Sequence, residues 1–396
     1  MDKNTVLNYK EIYRSALLDD VVPFWQNRAL DWEYGGYLHC FDRRGDLFDT
    51  DKSVWTQGRM VWMFSRLYNV IEKRQEWLDA AKLGYDFINQ YCFDDNMHMY
   101  FRVTREGKPL RIRRYWFSEA FAIMGFAEYA KAANDRKAIQ KSKELYNHVL
   151  SYFNTPGYFP PKINPETRKT KSHSTYMILL SISQAMREID DDPLYSRTID
   201  LCMNELLEYF VKKDEKVLLE TVGPSDERLD RPEGRCINPG HSIESAWFLM
   251  EEAIFRKDNV LMEKAIEIME WSLEKGWDGE FGGLYYFVDV EGKPPLQLEW
   301  DMKLAWPHNE AVYALLLAYC YTKDEKYAKW FEKIHKYAFD HFSDREYGEW
   351  FGYLHRDGTV VIDAKGTDWK SPYHLMRALL NVYLLLAQME QGDRLF

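Results

Sequence analysis

Apolar residues return every three to four positions through twelve stretches of the chain: 7–25, 54–68, 77–91, 115–133, 139–153, 176–189, 194–211, 243–255, 261–273, 310–321, 327–342 and 375–389. That period predicts helices with a buried stripe. A second unit recurs between some of them, an aromatic-rich stretch that ends in a charged residue and glycine. It runs from Gly36 to Gly45, Gly283 to Gly292 and Trp350 to Gly358, with a weaker copy at 97–107. A short β-rich run closed by Arg-Gly, Glu-Gly or Asp-Gly predicts a hairpin with a tight turn.

Every second helix begins near residue 55, 115, 173, 241, 306 or 371, at a spacing of 58 to 68 residues. The pattern predicts six copies of a helix pair. A pair cannot bury its apolar face alone, so successive pairs must stack into an open solenoid or a closed ring. An open stack needs polar caps, yet the last helix is as apolar as those in the middle. The expected fold is therefore all-α: an (α/α)6 barrel, one domain over 1–396, with six inner helices, six outer ones and short β-hairpins in some connections. No Gly-, Ser- or Pro-rich linker divides it. The long irregular stretches 154–172 and 213–239 each precede an inner helix and suit the walls of an active site.

Composition narrows the class. Charged residues make up 29% of the 396 and hydrophobic ones 46%, which excludes global disorder. The longest apolar run, Ala311 to Tyr321, is too short to span a bilayer, and charges in the first twenty residues interrupt any export signal. A net charge of −11 disfavours nucleic acid. Five scattered cysteines without a CxxC motif fit reduced thiols and a cytoplasmic location. Aromatics reach 16%, enough for a ring-lined cavity, and sugars offer C–H faces that rings cover.

Residues with catalytic potential gather where inner helices begin: Arg59, Glu119, His173, His241 with Glu244, His308 with Glu310, and His374. In a closed barrel all these starts face one end, so side chains spanning more than 300 residues converge on one pocket. Each group has a plainer role open to it as a helix cap, a dipole partner or a satisfied buried pair. The repetition with the barrel period favours function. His39, His98, His148, His335, His341 and His355 fall on hairpins or outer helices and are expected to be structural. No HExxH pattern or close histidine pair points to a metal, and Gly282-Gly283 lacks the phosphate-loop pattern.

The segments TQGRMVWMFSRLYN around Arg59, FSEAFAIMGFAEYAKA from Phe117, PEGRCINPGHSIESAWFLME from Pro232 and EWDMKLAWPHNEA from Glu299 resemble the N-acylglucosamine 2-epimerase family. The resemblance runs along nearly the whole chain. It implies the (α/α)6 barrel, reversible interconversion of N-acetylglucosamine and N-acetylmannosamine, a homodimer, and a nucleotide such as ATP as activator. Its catalytic histidines fall on His241 and His374, and its substrate-binding arginine on Arg59. Relatives in the same superfamily epimerise cellobiose or isomerise mannose to fructose, so the alternative is an aldose–ketose isomerase of the mannose/fructose type or an epimerase of another aldose. Those acting on cellobiose carry closely spaced histidines where this chain has Tyr176 and Ile178, a departure that favours a monosaccharide. Lys365-Gly-Thr-Asp-Trp-Lys370 only partly follows the acylglucosamine enzymes' Lys-Gly-Gly-Pro-x-Lys, the segment on which the acyl preference is in question.

Epimerising C2 of an aldose requires ring opening, removal of the proton α to the C1 aldehyde and reprotonation on the other face. Two histidines suit this work because their ordinary pKa of about 6.5 lets one be neutral while the other is protonated. The enolate oxygen needs a fixed positive charge, which Arg59 supplies. Glu244 and Glu310 are expected to orient the histidines or bind hydroxyls. Trp55, Trp116 and Trp306 would cover the sugar, with Glu119, His173 and His308 also lining its site. No metal or redox cofactor is required. Two other classes remain open: a glycoside hydrolase using a pair among Glu119, Glu244 and Glu310, and a helical binding scaffold without catalysis.

Overall fold

A computed structural model describes residues 1–155, 163–164 and 166–392. Part of the long stretch expected at 154–172 lies outside them. Every expected helical stretch is helical. The N-terminal stretch is α1 (Lys3–Ser15), a widened turn at Ala16–Val21, and α2 (Val22–Arg28). Then follow α3 (Val54–Val70), α4 (Gln75–Tyr91), α5 (Phe117–Ala133), α6 (Arg136–Asn154), α7 (His173–Arg187) and α8 (Pro193–Asn204). After the short α9 (Pro232–Arg235) come α10 (Pro239–Arg256), α11 (Asn259–Gly276), α12 (Ala305–Thr322), α13 (Glu325–His341) and α14 (Tyr373–Gln391).

Packing order closes the ring. The helices α3, α5, α7, α10, α12 and α14 each touch the next, and α14 returns to α3. Outside them α4, α6, α8, α11 and α13 each pack on the inner helix before them, and α1 covers α14. The result is the (α/α)6 barrel. Sequence explains which helix goes where: α5 and α12 bury nearly all their residues, whereas α6 and α13 bury one face and turn Lys and Glu outward. The tightest inner crossing rests on two glycines. A Cβ on Gly58 would come within 2.6 Å of the Phe121 backbone, and one on Gly125 within 2.5 Å of the Gly58 carbonyl. Among the described residues no helix is long and apolar enough to cross a membrane.

Short strands tie neighbouring pairs together just before inner helices. Lys52–Ser53 pairs with Arg102–Val103, Lys171–Ser172 with Thr221–Val222, Cys236–Ile237 with Val288–Asp289, and Lys303–Leu304 with Tyr353–Leu354. Local hairpins form at three of the expected places: Cys40–Phe41 with Leu47–Asp49, Arg102–Val103 with Pro109–Arg111, and Tyr353–Leu354 with Val360–Ile362. The fourth, 283–292, is different. Its strand Val288–Asp289 folds onto Cys236–Ile237 instead of onto its own continuation, and there Asp289 receives the buried Arg235 guanidinium at 3.0 Å.

Three connections share a buried ionic clamp. An aspartate at a turn takes a lysine from the strand or loop ahead and an arginine from a hairpin tip: Asp31 with Lys52 (2.9 Å) and Arg105 (2.9 Å), Asp278 with Lys303 (3.0 Å) and Arg356 (2.8 Å), Asp344 with Lys365 (2.9 Å) and Arg43 (2.8 Å). The turn ends on a left-handed residue, Gly36 or Gly283 in two copies and Glu349 (φ 55°) in the third. The Glu349 carboxylate is buried and accepts from Lys370 Nζ, the Trp350 N–H and Trp25 Nε1. Both lysines of the 365–370 segment are thus structural cations.

Candidate active site

The start of α10 is set by Asn238, whose side chain caps the helix by accepting the His241 N–H at 3.1 Å. This fixes His241 on the first turn, where its Nδ1 stands 3.1 Å from both oxygens of Glu220. Glu220 also receives Nδ1 of His173, at 3.2 Å, and His173 Nε2 meets Ser245 Oγ at 2.7 Å. Across the pocket the same construction recurs on α14. His374 Nδ1 donates to Glu310 Oε1 at 2.7 Å, and Glu310 Oε2 accepts the Trp247 indole N–H at 2.8 Å. One guanidinium, Arg377, holds Glu310 (2.7 Å) and Glu244 together and donates to the Tyr373 hydroxyl at 3.2 Å.

Trp306 spans the gap between the two imidazoles, its centroid 5.1 Å from His241 and 5.4 Å from His374. Gly240 makes room for it: a Cβ there would sit 2.6 Å from the indole. With Nδ1 bound to a carboxylate, each histidine keeps Nε2 without a protein partner among the described residues. Their side chains are 28% and 19% exposed, so both reach the pocket. Arg59 closes the third side. Its guanidinium lies 3.9 Å from the centre of the Phe121 ring and 5.3 Å from that of Tyr373, and among the described residues it has no carboxylate partner and its buried Nε no acceptor.

The electrostatics of the two histidines differ. Burial alone would lower His241, but the charge and hydrogen bonds of Glu220, helped by Glu244 and Glu310, hold it above the ordinary value. His374 is driven well below, by burial and by Arg377 and Arg59, against the pull of Glu244. Burial also brings Arg59 down to about 10, so it stays charged through the neutral range.

The structure brings His241, His374, Glu244, Glu310, Arg59 and Trp306 into one cluster, with Trp55 beside Arg59 and against Trp369. Other residues singled out in the sequence lie elsewhere. His308 has both ring nitrogens engaged: it is fully buried, donates from Nδ1 to the Leu304 carbonyl (2.7 Å), accepts the Leu284 N–H at Nε2 (2.9 Å) and stacks on Tyr337. Glu119 is likewise taken up inside, by the Met99 N–H, Arg113 and Tyr152. Trp116 packs on Phe117 and Phe153, and His173 stands fully buried behind Glu220. Two central groups were missed. Glu220 sits in the aperiodic 213–239 stretch that was read only as a wall. Arg377 was signalled by being the one charged residue in the first two turns of an apolar helix.

Within each of two donor sets in the pocket, His173–Glu220–His241 and Glu244–Glu310–His374, one nitrogen or oxygen atom per residue lies within 4.8 Å of the others, and the same holds for His39–Cys40–Asp368 outside it, with the Cys40 sulfur as its donor. In both pocket sets the imidazole nitrogen and carboxylate oxygen are already joined by hydrogen bonds, the arrangement of an orienting pair.

The mouth of the closed helical barrel thus carries two carboxylate-backed imidazoles and a guanidinium that no carboxylate pairs with among the described residues. The family model described as N-acylglucosamine 2-epimerase (GlcNAc 2-epimerase) matches residues 36–378. The chain is 37% identical to the N-acylglucosamine 2-epimerase of Bos taurus, over 91% of this chain and 87% of that one. It is 35% identical to that of Homo sapiens, over 96% and 90%. In fold it matches the cellobiose 2-epimerase of Bacillus thermoamylovorans B4167, with a TM-score of 0.83 at 24% identity over 96% of this chain and 99% of that one. The chain belongs to the N-acylglucosamine 2-epimerase family.

Proposed function

We propose that the protein interconverts N-acetylglucosamine and N-acetylmannosamine, with His241 and His374 as the two acid–base groups. The observation that carries this reading is the pair of imidazoles on either side of Trp306, each tied through Nδ1 to a carboxylate and open at Nε2. Such groups exchange protons with opposite faces of one carbon. In the open-chain sugar the C2–H bond breaks toward one Nε2 and its electrons move into the C1–C2 bond, leaving negative charge on the C1 oxygen. Arg59, charged and without a carboxylate of its own among the described residues, faces that charge. The other Nε2 then delivers a proton to C2. A hydrolase reading fits less well, since Glu244 and Glu310 share the Arg377 guanidinium and neither is left as a free acid or nucleophile.

In D₂O, N-acetylmannosamine is expected to become N-acetylglucosamine with deuterium at C2 and none at C1, read by NMR. His241→Ala and His374→Ala each lose about 10² to 10⁴ of the rate while remaining folded. A ketose formed from mannose, with the N-acetyl sugars untouched, overturns the assignment.

Turnover on this scheme uses no metal. EDTA leaves the rate unchanged; loss on chelation, restored by a single divalent ion, converts the two pocket donor sets into ligand sets.

A further inference from the structure

We propose that Glu220, held in place by His173, keeps His241 as the proton-carrying member of the histidine pair, while Arg377 leaves His374 as the neutral one. This deepens the two-histidine reading and rests on it. Three observations support it.

The first is what each carboxylate faces. Glu220 touches only imidazoles, His241 and His173, and no lysine or arginine pairs with it among the described residues. Its charge is therefore available to an imidazolium. Glu310, the partner of His374, already shares Arg377 with Glu244 and gives its second oxygen to Trp247. A guanidinium 3.4 Å from His374 Nδ1 opposes a second positive charge on that ring.

The second is the state of His173. Fully buried, it faces Glu220 with Nδ1 and the Ser245 hydroxyl with Nε2, a partner that can donate to a neutral ring, and so it orients the carboxylate without needing a charge of its own. Burial lowers its pKa, in keeping with that role. A His173 that competed for the proton would dilute the effect of Glu220 on His241.

The third is the full set of charges around His241. From the loop comes Glu220, from α7 His173, from its own helix Glu244, from α12 Glu310, and from α14 His374 and Arg377, with Arg59 on α3. Three carboxylates thus face two guanidiniums, which leaves one net negative charge, and Glu220 is the carboxylate that no guanidinium contacts among the described residues. The opposite shifts of His241 and His374 agree with this count.

In this protonation state, then, the epimer whose C2–H faces His374 gives its proton to His374 and receives a new one from His241, and the reverse direction starts from the exchanged state. The turnover ends with the two protonation states exchanged, and Glu220 favours their return through solvent. Glu220 is a positioning residue: it acts through His241 and touches no reacting atom.

The test is the pH dependence of kcat/KM, whose limbs report groups of the free enzyme. The acid limb marks protonation of His374 and the basic limb deprotonation of His241. Glu220→Gln is expected to bring the basic limb down by about one unit, a roughly tenfold loss above it, with the acid limb unmoved. Glu220→Asp restores part of the shift, and His173→Asn gives a smaller one of the same sign. Circular dichroism checks the fold of each variant. Histidine NMR titration of the free protein provides a readout independent of turnover: the His241 midpoint falls in Glu220→Gln. A slower enzyme with both limbs and the His241 midpoint unmoved overturns the proposal, as does movement of the acid limb alone. Absence of turnover on N-acylhexosamines by the wild type sinks the functional reading, while the NMR midpoints still decide the charge assignment.

Discussion

His308 and His374 both stand on the first turns of inner helices, and sequence alone treats them alike. What separates them is how many nitrogen partners the backbone supplies. His308 spends one nitrogen on the Leu304 carbonyl and the other on the Leu284 N–H, so it pins the 283–292 segment to α12, and burial takes its pKa to about 3. His374 has one nitrogen on Glu310 and one left over. His308→Ala is therefore expected to lower stability by about 2 to 4 kcal/mol, from the cavity and the stranded Leu284 N–H. Urea unfolding measures this, and kcat/KM per folded molecule stays within a few-fold of wild type. A collapse of kcat/KM without loss of stability returns His308 to the sugar. The same logic explains what was legible. Histidines and glutamates placed with the barrel period revealed His241, Glu244, Glu310 and His374, but contact with a ligand depends on unspent hydrogen-bond capacity, which spacing does not encode. Glu220 reaches the pocket from a loop with no period at all.

At the scale of elements, helices were read well because burial on one side imposes a period over fifteen or more residues. Their starts are legible too: α12 begins at Ala305, next to the start near 306 that the six-fold spacing gives, although its polar first turn with the buried His308 and Asn309 holds back the apolar pattern until 310. Strands of two or three residues have too little length to show their pairing, and so Val288–Asp289 was assigned to the wrong neighbour. The ionic clamps went unread because their three members lie in different connections. Each clamp aspartate is held below its ordinary pKa despite burial, Asp31 at about 2 and Asp278 and Asp344 lower still, by the lysine and arginine it faces. A carboxyl depressed in the folded state contributes stability above its unfolded pKa and loses it as pH falls through the folded one. The urea midpoint is thus expected to drop from about pH 4 downward, past pH 2. Asp278→Asn removes the partner of buried Lys303, costs about 3 to 5 kcal/mol at pH 7 and flattens that acid slope. An unchanged slope in the variant assigns acid sensitivity to other groups.

For the whole molecule the decisive contact is the one between its first and last helices. Lys10 on α1 pairs with Glu390 on α14, and α1 covers the outer face of α14 as each outer helix covers an inner one. Deleting residues 1–28 is expected to leave α14 half bare and to replace a single cooperative urea transition by a broad one of lower m-value. A sharp transition with the original slope shows that α14 docks without its cover. The position of α14 has a consequence for the order of synthesis. It is the last inner helix to be made, and it carries both His374 and Arg377. Until it docks, Glu244 and Glu310 lie in the wall of an unfinished ring without the guanidinium that bridges them, which opposes a stable five-sixths barrel. Closing the ring and completing the acid–base pair are one event, so a growing chain passes through no half-assembled catalyst able to meet substrate.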